Sequence, residues 1–293
     1  MNKKQNIYPY LLAFVTVTLW GFIFVAAKEA VTNMPPFAIL SVRFLLATIL
    51  LIPFFPKPPI PIKNIIVIAL VFGVGHLGTM FWSLHLGLDS AVGIVVDQLG
   101  IPISLILAFF IFHEKPTIFG ILGIILAMFG TYILADTPNI NAHPLAFWLM
   151  VITSFFWAYY CILLKKFQSP SPLGLIAWLS LFSFIMNLIL SLIFENNQLD
   201  SLKSASFSQI TSLFYTVIFG LIIAHSIWGY LMKTEAMNKI IPMVLLVPIF
   251  GIFGGAICLN EPITKAMIFG SMIMLLGVGI TFFKPTNIKN NEI

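Results

Sequence analysis

Four ionisable residues stand inside long apolar runs of this sequence: Arg43 in FAILSVRFLLATILL, His76 in VFGVGHLGTMFW, Asp97 in SAVGIVVDQLG and His225 in LIIAHSIWGY. An ionised group is expensive in apolar surroundings, so each is a candidate for function. Asp97 suits two tasks, holding a substrate ammonium or carrying a proton, and Gln98 adds an amide beside it. An imidazole titrates near physiological pH and relays protons, which is the chemistry open to His76 and His225. Arg43 and Asp97 each sit about seven residues into their runs, roughly 10 Å deep at 1.5 Å per residue. That shared depth predicts either an Arg43–Asp97 ion pair or a part for each in proton coupling.

Aromatic and hydroxyl side chains extend the candidate set. Trp20, Trp82, Trp157, Tyr160 and Trp228 all lie well inside apolar runs and could wall a cavity, where rings suit a small zwitterion through stacking and cation–π contact. His76, Thr79 and Ser83 recur at helical spacing on one face, as do Thr153, Trp157 and Tyr160. Gly73 and Gly75 permit close helix approach there. The competing reading of a membrane histidine is a helix-to-helix hydrogen bond, and that of the tryptophans is an interfacial belt; Trp148 and Trp178, nearer the run ends, fit a belt better.

The sequence contains no G-x-S-x-G, no H-E-x-x-H and no G-x-x-x-x-G-K-[ST], and Asp97 is the lone aspartate deep in a run. Hydrolytic, metal-dependent and nucleotide-driven chemistry therefore have no recognisable machinery, and neither catalytic residues nor a cofactor are expected. The five histidines are scattered, Cys161 and Cys258 sit in apolar runs, and no metal-ligand spacing exists. The formal charge of +5 comes with no basic patch interleaved with aromatics, so nucleic acid is not an expected partner.

What must position these residues is a membrane bundle. Only 9% of the chain is charged and 60% is apolar, with a mean hydropathy of +1.04; a water-facing domain carries about 25% charge. Spans of about 20 apolar residues are predicted at 8–27, 36–56, 64–86, 90–112, 116–135, 144–164, 172–194, 208–232, 237–259 and 263–283. All must be helical, because lipid leaves backbone groups no other partners. With the N-terminus inside, eleven lysines face the cytoplasm, and Lys28, Lys203 and Lys265 face out, which places both termini in the cytoplasm. The first span is too long, and lacks a small-residue cleavage pattern, for a signal peptide. Fourteen lysines against one arginine, with many Ile and Asn, suit an AT-rich bacterial genome and an inner-membrane location.

The spans repeat. Trp82 and Trp228 are 146 residues apart, as are Pro102 and Pro248; Glu114 and Glu261 are 147 apart, as are Gly123 with Gly270 and Gly130 with Gly277. LWGFIF (19–24) matches FWAYYC (156–161) at an offset of 137, the extra residues falling in 195–207. The chain thus divides into two halves, 1–136 and 137–293, each of five helices. Five is odd, so the second half enters from the opposite side: an all-α integral membrane protein of ten helices in two inverted repeats, an architecture of secondary transporters. A channel is the competing reading, but no filter loop is evident. Pro102 and Pro248 each remove a helix hydrogen bond in mid-span and are candidate hinges or static kinks. Glu114 and Glu261 precede prolines that open the next helix and read as structural turns.

Those features together, with NMPPFAILSVRF (33–44) entering the second span and SIWGYLMKTEAMNKIIPMVLLVPIFG (226–251) crossing the eighth and ninth, resemble the EamA-type drug/metabolite transporters, and the last stretch is similar to bacterial exporters of amino-acid metabolites such as cysteine and O-acetylserine. The resemblance covers essentially the whole chain. It implies export of small polar metabolites through a central cavity, proton-linked or facilitated. Amino acids are the first cargo class to expect; a drug, a nucleotide derivative or S-adenosylmethionine is the alternative. The expected partners are a small-molecule substrate, the lipid bilayer and, if transport is coupled, protons. A monomer and a homodimer both fit.

Overall fold

The computed structural model describes residues 7–112, 118–134, 138–167, 169–234, 243–244 and 246–281, and every regular element among them is a helix. Five helical runs are long and apolar enough to cross a membrane: Tyr8–Val31, Ile62–His85, Pro144–Phe167, Pro172–Phe194 and Phe207–Leu231. Five shorter apolar helices complete ten spans, at Pro36–Leu51, Ser90–Ser104, Ile118–Gly130, Val247–Cys258 and Lys265–Gly277. The protein is a multi-pass, all-α membrane protein of two inverted five-helix repeats. Its outside carries the side chains that lipid wants, with Phe110, Ile125, Leu192, Phe194 and Phe269 all exposed.

The helices are labelled in chain order: α1 (Tyr8–Val31), α2 (Pro36–Leu51), α3 (Ile62–His85), α4 (Ser90–Asp97), α5 (Gly100–Phe112), α6 (Ile118–Leu134), α7 (Pro138–Ala142), α8 (Pro144–Phe167), α9 (Pro172–Phe194), α10 (Gln198–Lys203), α11 (starting at Phe207 and ending at Thr234), α12 (Val247–Cys258) and α13 (Lys265–Thr281). Local chemistry explains several ends. Prolines open α2, α8 and α9, where a missing N–H costs nothing. Ser171 caps α9 by accepting from the Gly174 N–H. Ser206 and Gln209 form a capping box at the start of α11.

Three departures from the expected spans shape the interior. The first helix runs on to Val31, past the expected end at 27, so Lys28 is a helical residue. It reaches sideways to donate to the carbonyls of Leu84 and Leu88, both at 2.9 Å, a cation placed where a helix C-terminus favours one. The fourth span breaks between α4 and α5. Pro102 offers no N–H to the Gln98 carbonyl, and the chain passes through Gln98 and Leu99 on tight three-residue bonds, Gln98 N to Val95 O at 3.1 Å and Ile101 N to Gln98 O at 3.0 Å. The third departure is a π-helical segment in each half, Leu70–His76 in α3 and Thr216–Ala224 in α11. Their first residues are separated by the repeat interval of 146.

The repeated glycines have a packing reason. Helices α6 and α13 are repeat counterparts and cross each other. A Cβ on Gly130 would lie 2.5 Å from Met274 N and 2.7 Å from Gly270 O, and one on Gly277 would meet the backbone of Ala127 and Gly123. Small residues let the two backbones touch. The remaining helices build the central bundle, with α1 against α11 and α12, α2 against α9, and α3 against α8 and α9.

Candidate functional site

The inner face of α1 presents Trp20 to the centre of the bundle, where α3, α8 and α11 converge on it. Its ring is 5.7 Å from Trp157, 5.3 Å from His225 and 5.0 Å from Trp228. His76 closes the other side, 5.0 Å from Trp157 and 5.9 Å from Phe72, and Tyr160 stacks on Phe72 at 4.5 Å. Residues from both halves thus form one aromatic cage. Asp97 borders it at the end of α4, its Oδ1 4.0 Å from His76 Nδ1. Gly100 lets α5 close on the same rings, because a Cβ there would lie 2.7 Å from Trp157.

The cage holds polar atoms that have no partner. Trp20 Nε1, Asp97 Oδ1 and His225 Nε2 are buried and form no hydrogen bond. Buried polar groups are normally bonded, and each exception calls for a reason. A donor, an acceptor and an imidazole nitrogen around one ring cluster can serve a small polar guest carrying both charges.

The π segments explain how the histidines are aimed. A π turn shifts the hydrogen-bond ladder by one residue and frees or redirects carbonyls. In α3 the loosened carbonyls are met by α9: Ser183 Oγ donates to Ala69 O at 3.3 Å, and Asn187 Nδ2 donates to Gly73 O at 3.3 Å. In α11 the Gly220 carbonyl lies 2.8 Å from His225 Nδ1, which leaves Nε2 to face the rings. Asn187 escaped the sequence reading, although a polar amide in the run FIMNLIL was its signal. So did Phe72, whose ring among 29 phenylalanines carried none.

The expected residues divide into those that meet and those that do not. Trp20, His76, Asp97, Trp157, Tyr160, His225 and Trp228 come together. Gln98 is buried beside them, but its Nε2 is spent on the Val244 carbonyl at 3.4 Å. Ser83 is buried and donates to Ala146 O at 2.6 Å, while Thr79 meets Thr153 Oγ1 at 2.7 Å and His76 Nδ1 lies 3.3 Å from Thr153 O. The His76, Thr79 and Ser83 face is therefore largely a seam against α8. Trp82 does not line the cage: it is 39% exposed and rests edge-on against Phe37, so its repeat mate Trp228 has the interior place alone. Trp148 is exposed as a belt residue would be, whereas the Trp178 Nε1 is buried.

Two pairings come out differently from expectation. Arg43 and Asp97 form no ion pair; the basic group within 4.0 Å of Asp97 is His76. Equal depth fixes a height in the bundle but not a direction around it, and α2 turns Arg43 toward α11. Glu261 does not serve the helix after it. Its carboxylate crosses to the other half and caps α4, accepting from Ser90 N at 2.7 Å, Ala91 N at 3.0 Å and Ser90 Oγ at 2.8 Å. Glu195, at the end of α9, caps α2 in the same way through Phe37 N and Ala38 N at 2.8 and 2.9 Å. Glu114 lies outside the described residues. Pro102 and Pro248 sit in α5 and α12 respectively, each just past a break or turn.

The main-chain N–H of Asp89 donates to Asn139 Oδ1 at 3.0 Å, tying the α3–α4 turn to α7. Burial and the Glu261 charge push the Asp89 carboxyl up to about 6, against the opposing pull of Lys28 and His143. Among the described residues no group of three or more His, Cys, Asp or Glu could hold a metal.

Comparison with known proteins agrees with this architecture. The profile of the EamA-like transporter family matches residues 7–135 and again residues 144–283. A protein of Escherichia coli strain K12, described as a probable amino-acid metabolite efflux pump, is 28% identical over 291 residues, covering 97% of this chain and 96% of its own. An uncharacterized transporter of Archaeoglobus fulgidus is 26% identical, covering 94% and 99% of the two chains. One solved crystal structure shares the fold at a TM-score of 0.66 and 16% identity, covering 94% of this chain and 96% of that one.

Proposed function

Because this chain belongs to the EamA-like transporter family, we propose that it is a secondary transporter exporting amino acids or related small metabolites across a bacterial inner membrane. The observation that carries this reading is the ring cluster of buried Trp20 and His76 with half-buried Trp157 and His225, drawn from both halves and holding unpartnered polar atoms. A cargo site between inverted repeats is where alternating access requires one. The name given to the Escherichia coli relative, probable amino-acid metabolite efflux pump, favours small zwitterions over larger cargo.

The two repeats, 1–136 and 137–293, rock against each other, with Pro102, Pro248 and the two π segments as the yielding points. Both termini face the cytoplasm, so the Glu195 and Glu261 caps lie on the outer side and hold the halves together there. Asp97 takes the substrate ammonium or a proton, and His76 stands close enough to exchange charge with it. Export then draws on the proton gradient.

Counterflow in proteoliposomes tests the reading. Vesicles loaded with one unlabelled amino acid at a time should accumulate its labelled form transiently, and Trp157→Ala should abolish this while the protein stays folded. Counterflow with drugs or S-adenosylmethionine but with no amino acid would transfer the site to the other cargo class.

A further inference from the structure

Arg43 is fully buried, at 0% exposure, and neither its ε nor its two η nitrogens has a hydrogen-bond partner. No carboxylate among the described residues lies within 4.0 Å of it. Its nearest company is aromatic, the rings of Phe81 at 5.5 Å and Phe44 at 5.9 Å. A guanidinium keeps its charge in proteins, and an uncompensated buried charge is strongly unfavourable. On the corresponding helix of the other half, α9, the residues that serve the α3 π segment are neutral: Ser183 and Asn187 donate to that segment's carbonyls.

The guanidinium also has an aim. One η nitrogen lies 3.8 Å from where a Cβ of Gly220 would stand, an ordinary contact distance, so the guanidinium packs against the α11 π segment beside Ile23, which fills the space the glycine leaves. The same glycine's carbonyl holds His225, five residues on, at 2.8 Å, and the far nitrogen of that imidazole is one of the unpartnered atoms of the cage. Resting on the reading of the cage as the cargo site, we propose that Arg43 is its anion subsite and receives the substrate carboxylate. The planar fork binds a carboxylate with two parallel hydrogen bonds, while the carboxylate of Asp97, on a different helix, takes the ammonium. The cargo is thereby defined as an amino acid with a free carboxylate; esters, carboxamides and decarboxylated amines are excluded.

The test uses the full chain in detergent and in proteoliposomes, as wild type, Arg43→Gln and Arg43→Lys. Each standard amino acid is paired with its carboxamide and its decarboxylated amine, and ligand-induced shifts in Tm are read beside uptake. Arg43→Gln leaves no partner orphaned and should fold. The expected result is stabilisation of wild type by the carried amino acid alone, affinity weakened at least about tenfold in Arg43→Gln, and partial rescue in Arg43→Lys, which keeps the charge without the fork. Equal stabilisation by amino acid and carboxamide, or unchanged affinity in Arg43→Gln, overturns the assignment. If no amino acid binds or moves, the amino-acid reading fails and 2-oxo acids decide the subsite: stabilisation of wild type but not of Arg43→Gln supports it, and no response to any carboxylate overturns it.

Discussion

The side-chain amide of Gln98 donates to the main-chain carbonyl of Val244 across 3.4 Å, joining positions 146 residues apart. Pro102 and Pro248 stand at the same interval, each four residues beyond one of the bonded pair. Pro248 has no N–H to offer the Val244 carbonyl, and the Gln98 amide meets it instead; the Gln98 carbonyl, which Pro102 cannot serve, accepts from Ile101 N at 3.0 Å. The bond thus joins the two repeats just ahead of α5 and α12.

Restoring a donor should stiffen this junction. Pro102 lies in the first turn of α5, where a proline costs little, so Pro102→Ala acts by letting α4 and α5 join as one helix; it is expected to raise Tm slightly and to slow transport several-fold, as stability gained at a hinge usually lowers activity. Uptake rates beside thermal melts check this. A variant that is more stable and equally fast would mark Pro102 as a static kink.

The Glu261 cap ties the halves at the α4 N-terminus. Glu261→Ala leaves Ser90 N and Ala91 N without their acceptor and is expected to cost about 1–2 kcal/mol, read as a lowered Tm. Glu261→Gln retains one acceptor oxygen and should fall between. Glu195→Ala should behave alike through Phe37 and Ala38.

Stability should also depend on Asp89. Its carboxyl is raised from 3.8 to about 6, so the folded chain binds this proton more tightly than the unfolded chain. Stability contributed by the protonated form is present at low pH and is lost as pH climbs toward and through about 6. Asp89→Asn should therefore raise Tm at about pH 7.5, leave it nearly unchanged at about pH 4, and flatten the slope between. Parallel Tm–pH curves for the two proteins would contradict the cause assigned to the shift.

Crowding the α6–α13 crossing should be severe. Gly130→Val and Gly277→Val each force side-chain atoms into opposing backbone, and neither is expected to yield folded protein at wild-type levels. Gly78→Ala, whose Cβ would make ordinary contacts of 3.4 Å or more, is the control that should express normally.

Much of this could be read in the sequence because it is carried by composition and by repetition. Span number, helical class and the two halves come from apolar length and one recurring interval. Gly123, Gly130, Gly270 and Gly277 stood out as landmarks, and they are the residues through which α6 and α13 touch. What the sequence withheld was direction around the helix axis. Arg43 and Asp97 share a depth, yet α2 turns Arg43 toward Gly220 of α11 while α4 ends with Asp97 beside His76, and the two residues do not pair. Trp82 and Trp228 share a repeat position, yet only Trp228 turns inward. Glu261 looked like a local turn because the helix that it caps belongs to the other half, 171 residues away.

An amino-acid cargo linked to protons, carried in the cage beside Asp97, is the core of the proposed function. It is tested by uptake of a labelled amino-acid panel into proteoliposomes, with and without a pH gradient, for wild type and Asp97→Asn. Saturable uptake that responds to the gradient in the wild type and collapses in the variant is the expected outcome. Uptake indifferent to both the gradient and the substitution would overturn the proposal, leaving a facilitator in which Asp97 has no part in transport.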